Sequence, residues 1–335
     1  MFALIRGFLY SSVPSGLPSV LGLMAIMMTI GSSGAWAQAF PNKPLRLVIP
    51  FTTGGGNDIV ARIVAAKMSD GLGQPVVVEN RPGAQGIIAV ENVAKSAPDG
   101  HSILMGPSGP MSINPAIYAK LPYNTLRDFQ PISMIGSFPL ILVVNPSTSV
   151  RSVKDLVEFA RANPSKINYG STAATFQLSS ELFNLQTGTR FQHIPYKGSG
   201  DMVNAVMSGE ITMALADPPP SAGPLKGGKI RGLAITASAR HPSWPDLPTL
   251  AEAGVPGMDI TIWMGLFVPT GTPTAIVTRL HQELVRVLAL PDVRERMAGL
   301  GVDPSGMSPE DFTKRVAADI ARWTRVAREA NVKAE

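Results

Sequence analysis

Cysteine is missing from all 335 residues. The chain therefore has no disulfide framework, no thiolate metal site and no N-terminal cysteine to carry a lipid. Its stability has to come from burial of a core. Clustered basic charge is missing as well. The formal net charge is +5, from 29 Lys and Arg against 24 Asp and Glu, yet the basic residues are dispersed and no Lys/Arg-rich run occurs. Where Arg294 and Arg296 come close, Asp292 and Glu295 stand beside and between them, the pattern of a solvated helix face. That excludes a nucleic-acid footprint and leaves a diffuse positive field, which raises the encounter rate of anionic solutes.

Signatures of catalysis and of cofactors are absent too. The four histidines, His101, His193, His241 and His281, are scattered, with no H-E-x-x-H and no pair at helical spacing, so no metal is expected. Gly198-Ser199-Gly200 and Gly106-Pro107-Ser108-Gly109 do not have the spacing of a nucleophile elbow. No G-x-x-x-x-G-K-[ST] occurs, and the dinucleotide fingerprint fails because Ile59 stands where a third glycine is needed after Gly54 and Gly56. No cofactor is expected. Asp217, at a strand end before Pro218-Pro219-Pro220, has no partner in sequence. It reads as a ligand-orienting acceptor or loop cap ahead of a general base.

Long apolar runs are confined to the N-terminus. Arg6 supplies a positive start, residues 17–30 are apolar, and Ala35-Trp36-Ala37 is an A-x-A cleavage signature. That order predicts a secretory signal peptide over 1–37, with Gln38 as the mature N-terminus. The apolar run falls short of the roughly 18 residues needed to span a bilayer, and Pro14, Pro18 and Gly22 interrupt its approach. The mature protein is expected outside the cytoplasm.

The remaining chain exceeds the size at which one core keeps growing, so two domains are expected. After Pro44 strands and helices alternate: strands over 45–49, 76–78 and 102–105, helices over 58–72 and 87–95. This βαβαβ order predicts an α/β fold with a mainly parallel sheet covered on both faces. The grammar restarts with a strand over 140–144 and a helix over 152–162, opened by Ser152 and Asp155 as a capping pair and stopped at Asn163-Pro164. Further strands are predicted over 167–169, 192–195, 211–215 and 232–235. The tail offers one long apolar strand, 260–268, then a helix capped by Thr272-Pro273 and another opened at Ser308-Pro309. With no sheet of their own, the tail elements are assigned to the first domain. The expected division is 38–139 with 260–335, and 140–259. Two crossings of the chain make a hinge, and a hinge between α/β lobes suits a cleft that closes.

The sharpest local feature is the loop Thr52-Thr53-Gly54-Gly55-Gly56-Asn57-Asp58 between the first strand and helix. Strand-end loops of this kind hold ligands in open α/β sheets. Glycines expose backbone N–H groups, and the helix N-terminus favours an anion. A plain structural turn capped by Asn57 or Asp58 explains the same residues equally well. Asp58 argues against a polyanionic phosphate; it serves either as a helix cap or as an acceptor for an ammonium or hydroxyl. Arg81 in the next loop reads as a structural clamp.

Many short motifs in order across the mature chain resemble the Bug family of periplasmic solute receptors, associated with tripartite tricarboxylate transporters. They are Pro50-Phe51 through Gly54-Gly55, Asp58-Ile59-Val60-Ala61-Arg62 and Glu79-Asn80-Arg81-Pro82-Gly83-Ala84. Ala97-Pro98-Asp99-Gly100, Leu121-Pro122-Tyr123, Pro195-Tyr196-Lys197-Gly198, Asp246-Leu247-Pro248-Thr249, Glu252-Ala253-Gly254 and Gly265-Leu266-Phe267 follow. The resemblance implies a two-lobed, type II-like periplasmic binding protein fold: two doubly wound domains joined by a hinge. It also implies a monomeric, non-catalytic receptor for a small carboxylate, an organic acid, dicarboxylate or amino acid. Such receptors grip a ligand carboxylate at the glycine loop, largely through backbone amides and bridging waters. Carried over by motif, the ligand-binding residues are Thr52, Thr53, Gly54, Gly55, Gly56, Asn57, Asp58, Gly83, Ala84, Ser108, Ser171, Thr172 and Asp217. Two departures stand out. Gln85 interrupts the usual Gly-Ala-Gly-Gly, and the loop 170–178 is about two residues shorter than the family's. Membrane permease subunits or a sensor kinase are the implied partners. A periplasmic enzyme with Asp217 or Asp58 as base is the alternative.

Overall fold

The computed structural model describes residues 40–164 and 166–329. The signal segment read over 1–37, with its cleavage signature and Gln38, lies outside the described residues. The first group of elements is β1 (Leu45–Ile49), α1 (Gly56–Leu72), β2 (Val76–Asn80), α2 (Ile87–Ala94), β3 (Ser102–Pro107) and β4 (Phe129–Pro139). The middle group is β5 (Ile141–Val144), α3 (Val153–Ala162), β6 (Asn168–Ser171), α4 (Ala174–Thr187), β7 (Gln192–Pro195), α5 (Ser199–Ser208), β8 (Met213–Ala216), α6 (Pro218–Lys226) and β9 (Arg231–Ile235). The last comprises β10 (Thr261–Pro269), α7 (Thr274–Ala289), α8 (Pro291–Gly299), β11 (Asp303–Pro304) and α9 (Pro309–Glu329).

Two sheets result, in the order β11-β4-β10-β3-β1-β2 and β7-β6-β8-β5-β9. In the first, β1 pairs in parallel with β2 and β3, as the βαβαβ order predicts. The sheet is nevertheless mixed rather than mainly parallel. β10 enters antiparallel to β3 and also pairs antiparallel with β4. The second sheet is mixed as well: β6 is parallel to β7 and β8, while β5 is antiparallel to β8 and β9.

The pleat sends successive side chains to opposite faces, and both faces are filled. Leu47 and Ile49 join Ile63, Val64 and Met68 of α1 in one core cluster. Val48 points the other way, into a second cluster with Val90 of α2 and Phe312 and Val316 of α9. Trp263 of β10 packs edge-on against Phe312 at 5.2 Å and donates its indole N–H to Asp319 at 2.5 Å. The middle sheet repeats the logic. Leu142 and Val144 share a cluster with Leu156 and Phe183, while Ile141 and Val143 pack with Met202 and Val206 of α5.

The chain passes between the sheets from β4 to β5 and again from β9 to β10. Thr236, fully buried, ties the two crossings together. Its hydroxyl accepts from Leu140 N–H at 2.8 Å and donates to Ile260 C=O at 2.6 Å. Its own N–H donates to Leu140 C=O at 2.9 Å, and its C=O accepts from Ile260 N–H at 2.7 Å.

Candidate functional site

The glycine loop runs from the end of β1 into α1, whose N-cap is Gly55 with no side-chain cap. Asn57 and Asp58 are therefore not caps. Asp58 is buried, and its oxygens brace the loop itself. They accept from Gly54 N–H at 2.9 Å, from Arg62 Nε at 3.0 Å and from Asn80 Nδ2 at 3.1 Å. Burial alone would raise the Asp58 pKa; the bonds from Arg62, Gly54 and Asn80 outweigh it and hold the carboxyl below its usual value. Both of its oxygens are engaged by partners in the first lobe.

The loop meets the other lobe through its backbone and the Asp217 side chain. Gly56 N–H donates to Asp217 Oδ2 at 3.1 Å. A Cβ at Gly56 would lie 2.2 Å from that oxygen, and one at Gly198 would lie 1.7 Å from Thr52 Oγ1. Side chains at these two positions would hold the lobes apart. Asp217 sits where β8 gives way to α6 and is 2 % exposed. Burial pushes its carboxyl up to about 6, against the pull of the Ser199 side chain and the Gly56 amide. Its Oδ1 has no hydrogen-bond partner in the protein.

Two cavities adjoin this junction. A cleft of about 430 Å³ is lined from the first lobe by Phe51 and the turn from Pro82 to Gly86, and from the second by Ser171, Thr172, Ala173, His193, Tyr196 and Lys197. Behind it, a pocket of about 20 Å³ shares Phe51 and Ala173 and adds Asn57, Thr175, Phe176 and Asp217. Ser171 Oγ and His193 Nε2 lie 2.7 Å apart. The imidazole stacks on Tyr169 at 5.2 Å, and burial pushes its pKa down against the pull of the Glu181 carboxylate. A neutral His193 is thus a hydrogen-bonding wall rather than a countercharge. Arg81 is spent on Glu79, with Arg46 on the same carboxylate. The site is built largely from neutral donors and acceptors, with Lys197 the cation at its rim.

Of the residues singled out in sequence, Gly83, Ala84, Ser171 and Thr172 line the wide cleft. Asn57 and Asp217 line the small pocket, and Gly56 and Gly55 meet the second lobe at Asp217 and Ser199. Ser108 is buried between two pocket-lining residues, Pro107 and Gly109. Thr53 lines neither cavity and bonds Asn80 at 3.4 Å. Phe51, His193, Tyr196 and Lys197 were not among the expected contacts. The motif Pro195-Tyr196-Lys197-Gly198, lying just past a strand end, was the available signal for the last two. A roomier cavity, about 690 Å³, lies away from this junction around Leu225, Trp244 and Leu247. Its Arg231 is engaged with the carbonyls of Pro146 and Val150. Among the described residues no cluster of His, Asp and Glu is arranged to hold a metal ion.

The model of the family described as "Tripartite tricarboxylate transporter family receptor" matches residues 60–332. The chain belongs to this family. BugT of Bordetella pertussis is 35% identical to the receptor over 89% of this chain and 92% of BugT. Among solved structures, Rpa4515 of R. palustris, with adipate, is 38% identical, covers 88% of this chain and 99% of its own, and has a TM-score of 0.85. MatC of Rhodopseudomonas palustris, with bound malate, is 32% identical over 86% of this chain and 99% of its own, with a TM-score of 0.82. Members of the family are periplasmic receptors, and the receptor has their two-lobed α/β fold. No helix among the described residues is long and apolar enough to cross a membrane.

Proposed function

We propose that the chain is a solute receptor that captures a small carboxylic acid between its lobes and does not turn it over. The observation that carries this reading is the cleft between the Phe51 side and the Ser171–His193 side, closed at its edge by the Gly56–Asp217 bond. Relatives at 38% and 32% identity hold adipate and malate, which supports a carboxylate as the ligand class. In this reading Ser171, Thr172 and the amides of the 83–86 turn meet the carboxylate, charge-assisted bonds being stronger than neutral ones. Thr52, Gly55 and Gly56 seat the second lobe, and Asp58 holds their loop in shape. We assign 38–139 with 260–335 to one lobe and 140–259 to the other, after export and removal of residues 1–37. The transporter named in the family description makes membrane permease subunits the proposed partner of a monomeric, loaded receptor. A pull-down that depends on ligand separates them from a sensor kinase.

A ligand that binds only the native state raises the melting temperature. A thermal-shift screen of organic and amino acids should therefore yield at least one acid with a dose-dependent rise. Shifts from neutral sugars alone, or from nothing in a broad set, would contradict the proposal. Release of a new product from the stabilising acid would favour the enzyme reading instead.

A further inference from the structure

The pocket behind the cleft is lined by polar atoms that the protein leaves unpaired. Asp217 Oδ1, Asn57 Oδ1 and Thr175 Oγ1 are all buried without a hydrogen-bond partner in the protein. Asp217 and Thr175 are each 2 % exposed, and all three residues line the same space. Ser108 Oγ, also unpaired, belongs to the residue between pocket-lining Pro107 and Gly109. A carboxylate oxygen and an amide oxygen only accept, while a hydroxyl both donates and accepts. The set therefore asks for a hydrogen-bond donor. About 20 Å³ is room for one non-hydrogen atom, on the order of a single water site. Phe51 and Ala173 border both this pocket and the wide cleft, so the two spaces adjoin at these residues.

Resting on the carboxylate reading, we infer that the receptor selects acids bearing a hydroxyl or ammonium group, and that Asp217, Asn57 and Thr175 are the acceptors that recognise it. A site built to bond such a group rejects the analogue lacking it, because its buried acceptors are then left unpaired. The Asp217 carboxylate accepts Gly56 N–H on Oδ2, which leaves Oδ1 as its unpaired oxygen.

Calorimetric titration with matched acids tests the inference: succinate, malate and aspartate; glutarate, 2-hydroxyglutarate and glutamate; adipate and 2-aminoadipate. The substituted member of at least one set should bind about tenfold or more tighter than its unsubstituted partner. Asp217→Asn replaces an acceptor with a donor, so the ratio of the two affinities should fall toward one, whatever happens to the absolute values. Thr175→Val, close in shape, should lower the same ratio more modestly. Hydroxy acids and amino acids winning separately tell the two donors apart. Equal affinity within every set means that water alone fills the pocket, and it overturns the inference while leaving the carboxylate reading intact. A preference that survives Asp217→Asn also overturns it. Binding of no acid at all sinks the parent reading, and this one with it.

Discussion

Asp58 and Asp217 are each 2 % exposed, yet their carboxylates have opposite chemistry. Asp58 accepts bonds from Arg62, Gly54 and Asn80 and is held ionised; Asp217 is more deeply desolvated, and burial pushes it up to about 6 against the pull of the Ser199 side chain, its own amide and the Gly56 amide. Because the folded-state pKa of Asp217 lies above its unfolded value near 3.8, its contribution is fully favourable below that value and is lost as pH rises through about 6. The full difference is on the order of 3 kcal/mol, of which about 1 kcal/mol falls between pH 5 and pH 7. Urea midpoints of the unliganded wild type and Asp217→Asn should therefore converge as pH falls from 7 to 5, with the variant the more stable at pH 7. A gap that does not change with pH would contradict this. Asp58→Asn should instead cost about 1–3 kcal/mol at pH 7 and weaken amino and non-amino acids alike, since it loosens a loop rather than removing an ammonium contact. Unequal losses would return Asp58 to the ligand. The bracing by Asp58 and the Gly56–Asp217 bond are not visible in the sequence. Asp58 offers an N-cap position that Gly55 takes, and the Gly56–Asp217 bond joins residues 161 apart.

Among the elements, those with local signals were legible. The first strand was read residue for residue, and α3 begins at a cap read from Ser152 and Asp155, where Asp155 N–H donates to Ser152 Oγ at 3.1 Å. β4 was not read at all, although it is 11 residues long. Pro131, Ser133, Gly136, Ser137 and Pro139 break its alternation, and pairing with β10 along its length makes it a strand. The ladder shifts register near Pro131 and Gly136, so a tertiary partner absorbs what propensity resists. Thr272 was expected to cap the helix after β10; its hydroxyl instead closes a turn onto Pro269 C=O at 2.7 Å. The crossings depend on Thr236. Thr236→Val would leave a buried N–H at Leu140 and a buried C=O at Ile260 unpaired, a cost of about 3 kcal/mol in chemical denaturation. Thr236→Ser, which restores the hydroxyl, should recover most of it. Equal loss in both variants would mean that packing of the methyl, not the hydrogen bonds, holds the crossing.

At the scale of the whole molecule, the two lobes are separate sheets whose junction includes close approaches at Gly56 and Gly198. Gly56→Ala would put a Cβ 2.2 Å from Asp217 Oδ2, where the lobes meet. Acid affinity should fall by about tenfold or more, while the unliganded melting temperature stays within about 2 °C of wild type. A comparable drop in unliganded melting would show that Gly56 serves the fold rather than closure. The order of the two sheets was legible because the strand–helix grammar restarts near residue 140; the Gly56–Asp217 contact was not, because it joins loops distant in sequence. The most direct test is a crystal structure with the acid that stabilises the receptor most in the thermal-shift screen. The acid is expected in the cleft between Phe51 and Ala173, a carboxylate against Ser171, Thr172 and the 83–86 turn. An acid bound instead in the cavity around Trp244, with the interlobe cleft free of it, would contradict the account.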